Sequence, residues 1–227
     1  MSAFLSSLAM ITVSEIGDRT FFIAAILAMT NSRRVIFMSA FAAAVVMTIV
    51  TVGLGVALPS LLPRKWTKLA SCVLFVIFGV KLLFSAWRGD GDATDEMIEV
   101  EEELALVSAG TELEEETDTE AQLIKTDTTG SQSKKHSFWA SMFSPVAVQC
   151  FSMSVLGEWG DRSQIATVAM AATMDPIGVC FGGFVGHALC TGIAVVTGKA
   201  LAYKISERVV NIVGGVLFLI FAISALM

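Results

Sequence analysis

The sequence predicts an all-α polytopic membrane protein with six transmembrane helices, arranged as two inverted repeats of three helices each. Three observations support this prediction: the composition, the length of the apolar runs and a charged motif that occurs twice. Hydrophobic residues make up 55% of the 227 residues, charged residues 16%, and the mean hydropathy is +0.73. Soluble globular domains carry about 25% charged residues. Several apolar runs also approach the roughly 20 residues that cross a bilayer as a helix, so we exclude a soluble domain.

The first and fourth predicted spans are longer than a straight transmembrane helix needs. Each contains one glycine within a charged motif, Gly17 or Gly160. We therefore expect a bend, a tilt or a break at that glycine. The first apolar run begins near Ala3 and continues past the motif, which favours a signal-anchor span over a cleaved signal peptide. The six spans are expected at about residues 3–30, 35–58, 69–87, 140–174, 177–198 and 208–227.

Acidic charge is concentrated between the third and fourth spans, at residues 88–137. This segment holds 15 of the 21 acidic residues and 4 of the 15 basic ones, so its net charge is −11 and the remainder of the chain carries +5. It has too little apolar area to fold alone, and we expect it to be mostly disordered with a short acidic helix. A solvated linker is the simplest interpretation, and cation gathering near a pore mouth is the alternative. The predicted domains are 1–87, 88–137 and 138–227.

The charged motif has the form Glu-x-Gly-Asp-Arg-(Thr/Ser) and occurs at residues 15–20 and 158–163. A shift of 143 positions aligns the two copies, and the same register places Thr191 on Thr48 and Phe218 on Phe75. Each repeat has an odd number of spans, so the second repeat enters the membrane from the opposite side. Such inverted repeats occur in many secondary transporters, with the substrate site near the midplane at the repeat interface.

Positive charge on the short loops predicts the orientation of the chain in the membrane. The side with more lysine and arginine should face the cytosol, so the acidic segment is expected to be cytosolic and both termini lumenal or exterior. That side carries Arg33, Arg34, Arg88, Lys134, Lys135, Lys199, Lys204 and Arg208, and the other carries Arg64, Lys65 and Lys68.

Every acidic residue within a predicted span belongs to one of the two motifs. A charge at a helix centre costs at least about 2.5 kcal/mol, so such residues usually face a polar cavity or each other. Glutamate and aspartate at i and i+3 share one side of a helix. Four carboxylates and two hydroxyls that converge form a hard-oxygen site, which suits calcium, manganese or magnesium better than zinc or copper. The expected ligands are Glu15, Asp18, Thr20, Glu158, Asp161, Ser163 and, ranked lower, Gln164, with Gly17, Gly160, Arg19, Arg162 and Gln149 in support.

The charges of the two motifs suggest a mechanism. Four carboxylates and two arginines carry a net −2, which one divalent cation or two protons neutralise. Metal and protons would then compete for the same oxygens, and alternating access would convert this competition into metal–proton exchange. Arg19 and Arg162 are expected to shape the site, because a cation repels a cation. The alternative is a static salt-bridge network between helices. His187, alone on the fifth span, is interpreted as a core histidine that could relay a proton.

The stretches "SEIGDRTFFIAAILAM" and "GEWGDRSQIATVAMAA" resemble the transmembrane protein 165 family, also called uncharacterised protein family 0016. The stretches "FVGHALCTGIAVVTGKALAYKISER" and "IVGGVLFLIFAISAL" support the resemblance, which covers both repeats. It implies an antiporter that moves manganese and calcium from the cytosol into the Golgi or secretory lumen in exchange for protons. The family's functional acids correspond to Glu15, Asp18, Glu158 and Asp161. The N-terminal extension of longer members is missing, so the chain resembles the compact, plant-type members.

Two other functions remain alternatives: a passive divalent cation channel with an acidic filter, and a proton-handling protein of pH homeostasis. The sequence shows no nucleophile–base constellation, so neither an enzyme nor a cofactor is expected. The expected partners are divalent cations, protons and the lipid bilayer, with a homodimer left open and no nucleic acid. Calcium and manganese both accept oxygen ligands, so the sequence does not rank them.

Overall fold

The computed structural model of the chain describes residues 2–61, 63–88, 97–107, 144–198 and 206–226. All regular secondary structure in these residues is α-helical. On either side of one short helix, the order is the same: two short helices, then two long ones. The helices are α1 (Ala3–Glu15), α2 (Arg19–Thr30), α3 (Arg33–Leu61), α4 (Arg64–Arg88), α5 (97–107), α6 (Pro145–Glu158), α7 (Arg162–Thr173), α8 (Pro176–Thr197) and α9 (Glu207–Leu226).

Four helices, α3, α4, α8 and α9, contain apolar stretches long enough to cross a membrane. The fold is therefore that of a polytopic helical membrane protein, as predicted. The long first and fourth predicted spans are each divided into two short helices, α1 with α2 and α6 with α7. The expected interruption at the motif glycine is thus confirmed, and it is a break rather than a bend. The full count of six spans as two inverted triplets stays a prediction.

The pair formed by α4 and α9 packs through aromatic and small residues. Phe218 lies between Phe75 and Phe78, with ring centroids 6.1 and 5.8 Å apart. A Cβ atom added to Gly79 or to Gly215 would lie 3.0 Å from the carbonyl oxygen of the other glycine. Small residues of this kind let two membrane helices approach closely.

The helices α3 and α8 lie at the centre and contact the broken helices. A Cβ on Gly182 of α8 would collide with the carbonyl oxygen of Phe4 in α1. A Cβ on Gly55 of α3 would lie 2.6 Å from the carbonyl oxygen of Val168 in α7. These close crossings pack α1 against α8 and α7 against α3.

The helix α5 belongs to the predicted acidic segment 88–137. Its apolar residues Met97, Val100 and Leu104 follow helical spacing and are buried against a cluster that includes Phe21 and Ile36. This amphipathic stripe buries its apolar area on neighbouring helices, although the segment has too little to fold alone. The rest of the segment lies outside the described residues, as do residues 140–143 of the predicted fourth span. Four residues used to predict the orientation also lie outside: Lys134, Lys135, Lys199 and Lys204.

Candidate functional site

Each copy of the motif forms the junction between two helices. Gly17 and Gly160 have φ angles of 84° and 78°. Residues with a side chain lose about 1–2 kcal/mol in this left-handed region, so both junctions favour glycine. The glutamate of each motif is the last residue of one helix, and the aspartate is the N-cap of the next. The C-terminus of a helix carries partial negative charge, so the backbone and the carboxylate attract a cation together at each glutamate.

The two motif glutamates meet at one small cavity. Glu15 is 3% exposed and Glu158 is 4% exposed. A carboxylate oxygen of each and a ring nitrogen of His187 all lie within 4.8 Å of one another. The cavity volume is about 10 Å³, close to the minimum of about 10–15 Å³ that a cavity needs to hold one water molecule. The cavity therefore has the size for a single ion without its hydration shell. It is lined by Glu15, Thr20, Phe21, Ala40, Ser154, Glu158, His187, Cys190 and Thr191.

The cavity contains oxygen atoms that lack partners. The Thr20 hydroxyl donates to Oε2 of Glu15 at 3.2 Å. Within the described residues, Oε1 of Glu15 and the Ser154 hydroxyl are buried without a hydrogen-bond partner. A buried polar atom without a partner costs about 1–3 kcal/mol, and more if it is charged. A cation or a proton bound in the cavity would remove this cost.

The two motif aspartates line a different and larger cavity, with a volume of about 460 Å³, which we call the vestibule. Asp18 forms an ion pair with Arg162 across the two motifs, with 3.6 Å between Oδ1 and Nη2. Arg162 also donates to the carbonyl oxygen of Ser14 at 3.3 Å. The vestibule is lined by Ile16, Gly17, Asp18, Phe78, Lys81, Leu82, Ser85, Gly160, Asp161, Arg162, Ile165, Val210 and Asn211.

The remaining aspartate and arginine of the two motifs, Asp161 and Arg19, have different partners. Asp161 accepts a hydrogen bond from the backbone amide of Ser163 at 3.1 Å and so caps α7. Arg19 points away from the vestibule and forms an ion pair with Glu103 of α5. The four carboxylates expected to converge are therefore divided into a glutamate pair in the small cavity and an aspartate pair in the vestibule.

The remaining predicted residues lie as follows. Thr20 lines the small cavity, whereas its counterpart Ser163 is buried but lines neither cavity. Gln164 accepts a hydrogen bond from the amide of Gly160 at 3.2 Å, and its own amide nitrogen is buried without a partner in the described residues. Gln149 lines neither cavity. The structure thus places Thr20 at the small cavity and Gln164 at the motif junction.

His187 and Ser154 line the small cavity, although neither was predicted as a ligand. The shift of 143 positions places them on Ala44 and Ile11. Neither residue is therefore repeated, and the repeat does not identify them. The position of His187 relative to Thr191 could have indicated its role. Thr191 is repeated as Thr48, and His187, four residues earlier, shares its face of the helix.

Comparison with known proteins gives a family match on both sides of the acidic segment. The family model "Divalent cation/proton antiporter GDT1" matches residues 3–90 and 146–227. GDT1-like protein 5 of Arabidopsis thaliana is 44% identical over 237 residues, covering 100% of this chain and 96% of that protein. GDT1-like protein 4 of Arabidopsis thaliana is 42% identical, covering 99% and 95%. GDT1-like protein 3 of Oryza sativa subsp. indica is 41% identical, covering 98% and 73%. No solved structure matches the chain.

Proposed function

The chain belongs to the GDT1 family of divalent cation/proton antiporters, and we propose that it exchanges manganese and calcium for protons at the cavity shared by Glu15 and Glu158. The family is one of transporters rather than enzymes. In this proposal the metal moves from the cytosol into the lumen of the Golgi or another secretory compartment. The resemblance to the transmembrane protein 165 family supports that direction and location.

The observation that carries the proposal is the burial of two glutamates around space for one ion. Two carboxylates carry −2, so one divalent cation or two protons make the cavity neutral. Of the neighbouring motif charges, Asp18 pairs with Arg162 and Arg19 pairs with Glu103, while Asp161 accepts a hydrogen bond from the amide of Ser163. Two unneutralised carboxylates in a buried cavity would be strongly unfavourable. The empty carrier is therefore expected to change conformation rarely, which couples one metal ion to two protons.

The packing of the helices supports access from one side. The vestibule is lined by Lys81 and Ser85 near the end of α4 and by Asn211 near the start of α9. The charge pattern predicts that these helix ends face the cytosol. The helices α1 and α7 pack against α9 and α4, respectively. Within the described ranges, the repeat-related pairs, α6 with α4 and α2 with α9, show no comparable packing. In the proposed cycle α1 and α7 separate from α9 and α4, and α2 and α6 pack against α9 and α4 instead, as inverted repeats allow.

Metal uptake into proteoliposomes tests the proposal. Vesicles with an acidic interior would receive manganese or calcium outside, with and without collapse of the pH gradient. We expect uptake by the unmodified protein only while the gradient persists. Glu15→Gln and Glu158→Gln each remove one carboxylate and leave the charge unbalanced, so uptake should fall about 100-fold or more. The matched control is Glu102→Gln, which changes an exposed carboxylate of α5 and should leave uptake within about twofold.

Three outcomes would contradict the proposal. Uptake that survives collapse of the gradient would favour a passive channel. Proton movement that does not depend on manganese or calcium would favour a protein of pH homeostasis. Uptake at the normal rate in both glutamate variants would remove the small cavity from the transport pathway.

A further inference from the structure

His187 is the one nitrogen ligand candidate at the small cavity among the described residues. It is 8% exposed and lies on α8, opposite Glu15 of α1 and Glu158 of α6. Glycines bring α8 close to α1 at this level: a Cβ on Gly186 would lie 3.0 Å from Cγ2 of Ile11. The close crossing places the imidazole beside the two carboxylates, and Oε1 of Glu15 provides an unpartnered acceptor in the same cavity.

An imidazole nitrogen does not suit all divalent cations equally. Calcium takes six to eight ligands, all of them oxygen. Imidazole suits first-row transition metals such as zinc, copper, iron and nickel. Manganese belongs to the same series, although carboxylate and water oxygens suit it best. A neutral imidazole adds no charge, so the balance between two carboxylates and one divalent cation is unchanged. Its effect on binding would therefore depend on the metal and not on the charge.

The small size of the cavity also makes the identity of each lining ligand important for the bound ion. With room for about one water-sized particle, an ion enters without most of its hydration shell and takes its ligands from the lining. Replacing one lining oxygen by nitrogen then costs calcium a ligand that water does not restore. The repeat-related position is Ala44, so the first repeat contributes no second imidazole.

We propose that His187 is a direct ligand of the transported ion and makes the site prefer manganese over calcium. The proposal rests on the proposed function, because it concerns the ion that the glutamate pair binds. The site then has two carboxylates from the repeated motif and one nitrogen from a position that is not repeated.

Electron spin echo spectroscopy of bound manganese tests the ligand directly. The full chain in lipid nanodiscs would be loaded with Mn²⁺ after growth with ordinary or ¹⁵N-labelled histidine. The sequence contains two histidines, His136 and His187, which makes the control simple. We expect a histidine nitrogen coupling to manganese in the unmodified protein and in His136→Gln, and its loss in His187→Gln. The measurement on the unmodified protein needs no variant, so a folding defect cannot imitate the result.

Competition transport tests the preference. With both metals present in the proteoliposome assay, His187→Gln should lower the ratio of manganese to calcium uptake at least about tenfold, in line with the 10–100-fold losses seen when metal ligation is perturbed. Calcium uptake should persist, because the glutamine amide supplies an oxygen.

Bound manganese without histidine nitrogen coupling in the unmodified protein would overturn the proposal. An unchanged metal ratio in His187→Gln, with gradient-driven uptake intact, would overturn it as well. Neither result would affect the proposed exchange function, which is tested separately by gradient-driven uptake in the unmodified protein and in the two glutamate variants.

Discussion

The two copies of the charged motif contain equivalent residues that bind different partners. In the second copy, Asp161 caps its own helix, whereas Asp18 in the first copy makes no such side-chain cap and pairs with Arg162. Arg162 reaches across to the first repeat, whereas Arg19 pairs with Glu103, which belongs to neither repeat. Both glutamates, in contrast, reach the same cavity.

This difference distinguishes the contacts that the two repeats have in common from those in which they differ. The glutamates keep equivalent positions because each ends a helix beside a glycine of positive φ. The aspartates and arginines lie one turn later. The surroundings differ there because, in the described part of the chain, α1 and α7 pack against α9 and α4 more closely than α2 and α6 do. A transporter built from two repeats changes access when the repeats exchange such arrangements. The variable partners are thus the expected moving contacts, and the glutamate pair is the fixed one.

The largest effect is expected at the crossing of α8 with α1, where glycine occupies a position that holds serine in the other repeat. Gly182 of α8 corresponds to Ser39 of α3 under the shift of 143 positions. Gly182→Ser should destabilise the protein by about 3 kcal/mol, because its Cβ would meet backbone of α1 and lie 2.8 Å from the Ser7 Cβ. Ser39→Gly should cost only about 0.5 kcal/mol, from the lower helix propensity of glycine.

Thermal unfolding in detergent measures both changes. The control is Gly53→Ser, because a Cβ at Gly53 meets no atom within 4 Å, and its unfolding temperature should not fall. If Gly182→Ser unfolds at the normal temperature, the crossing of α8 with α1 does not require glycine.

A smaller effect is expected from the two arginines. Arg162→Gln removes the ion-pair partner of Asp18, whose side chain is mostly buried, and should cost about 1–3 kcal/mol. Arg19→Gln breaks an ion pair in which both side chains are more than a third exposed, so its cost should be about 0–1 kcal/mol and should shrink in high salt. Unfolding at low and high salt distinguishes the two. Equal losses with equal salt dependence would contradict the difference in partners.

The smallest effect concerns the two aspartates as helix caps. Asp161→Ala should lose about 1 kcal/mol more stability than Asp161→Asn, because asparagine is also a good N-cap. Asp18 makes no side-chain cap bond, so Asp18→Ala and Asp18→Asn should be equally stable when each is combined with Arg162→Gln, which removes the ion pair from both. Unfolding temperatures of the four variants give both differences directly. A gap between the Asp18 variants as large as that between the Asp161 variants would show that both residues cap.

Much of the fold could be predicted because it depends on local and repeated patterns. The apolar runs predicted the long helices, and the glycine of each motif predicted the interruption of the first and fourth spans. The repetition of the motif also predicted that Glu15 and Glu158 lie close together, because a repeated sequence places the same residue at equivalent positions of the two repeats. The separation of the aspartates could not be predicted from spacing, because Asp18 and Asp161 differ in partners that come from other helices.

By itself, the sequence determined the chemistry available to this protein: a membrane-spanning chain, two glycine-broken junctions and acidic residues confined to them. These features follow from hydrophobicity, from the φ that glycine permits and from covalent spacing, all of which act locally. Only the tertiary structure decided that the glutamates share a cavity while the aspartates line a vestibule, that His187 and Ser154 reach the glutamates, and that α5 covers an apolar face and binds Arg19. Each of these contacts joins residues far apart in the chain, and their distances depend on how the helices cross rather than on any local pattern.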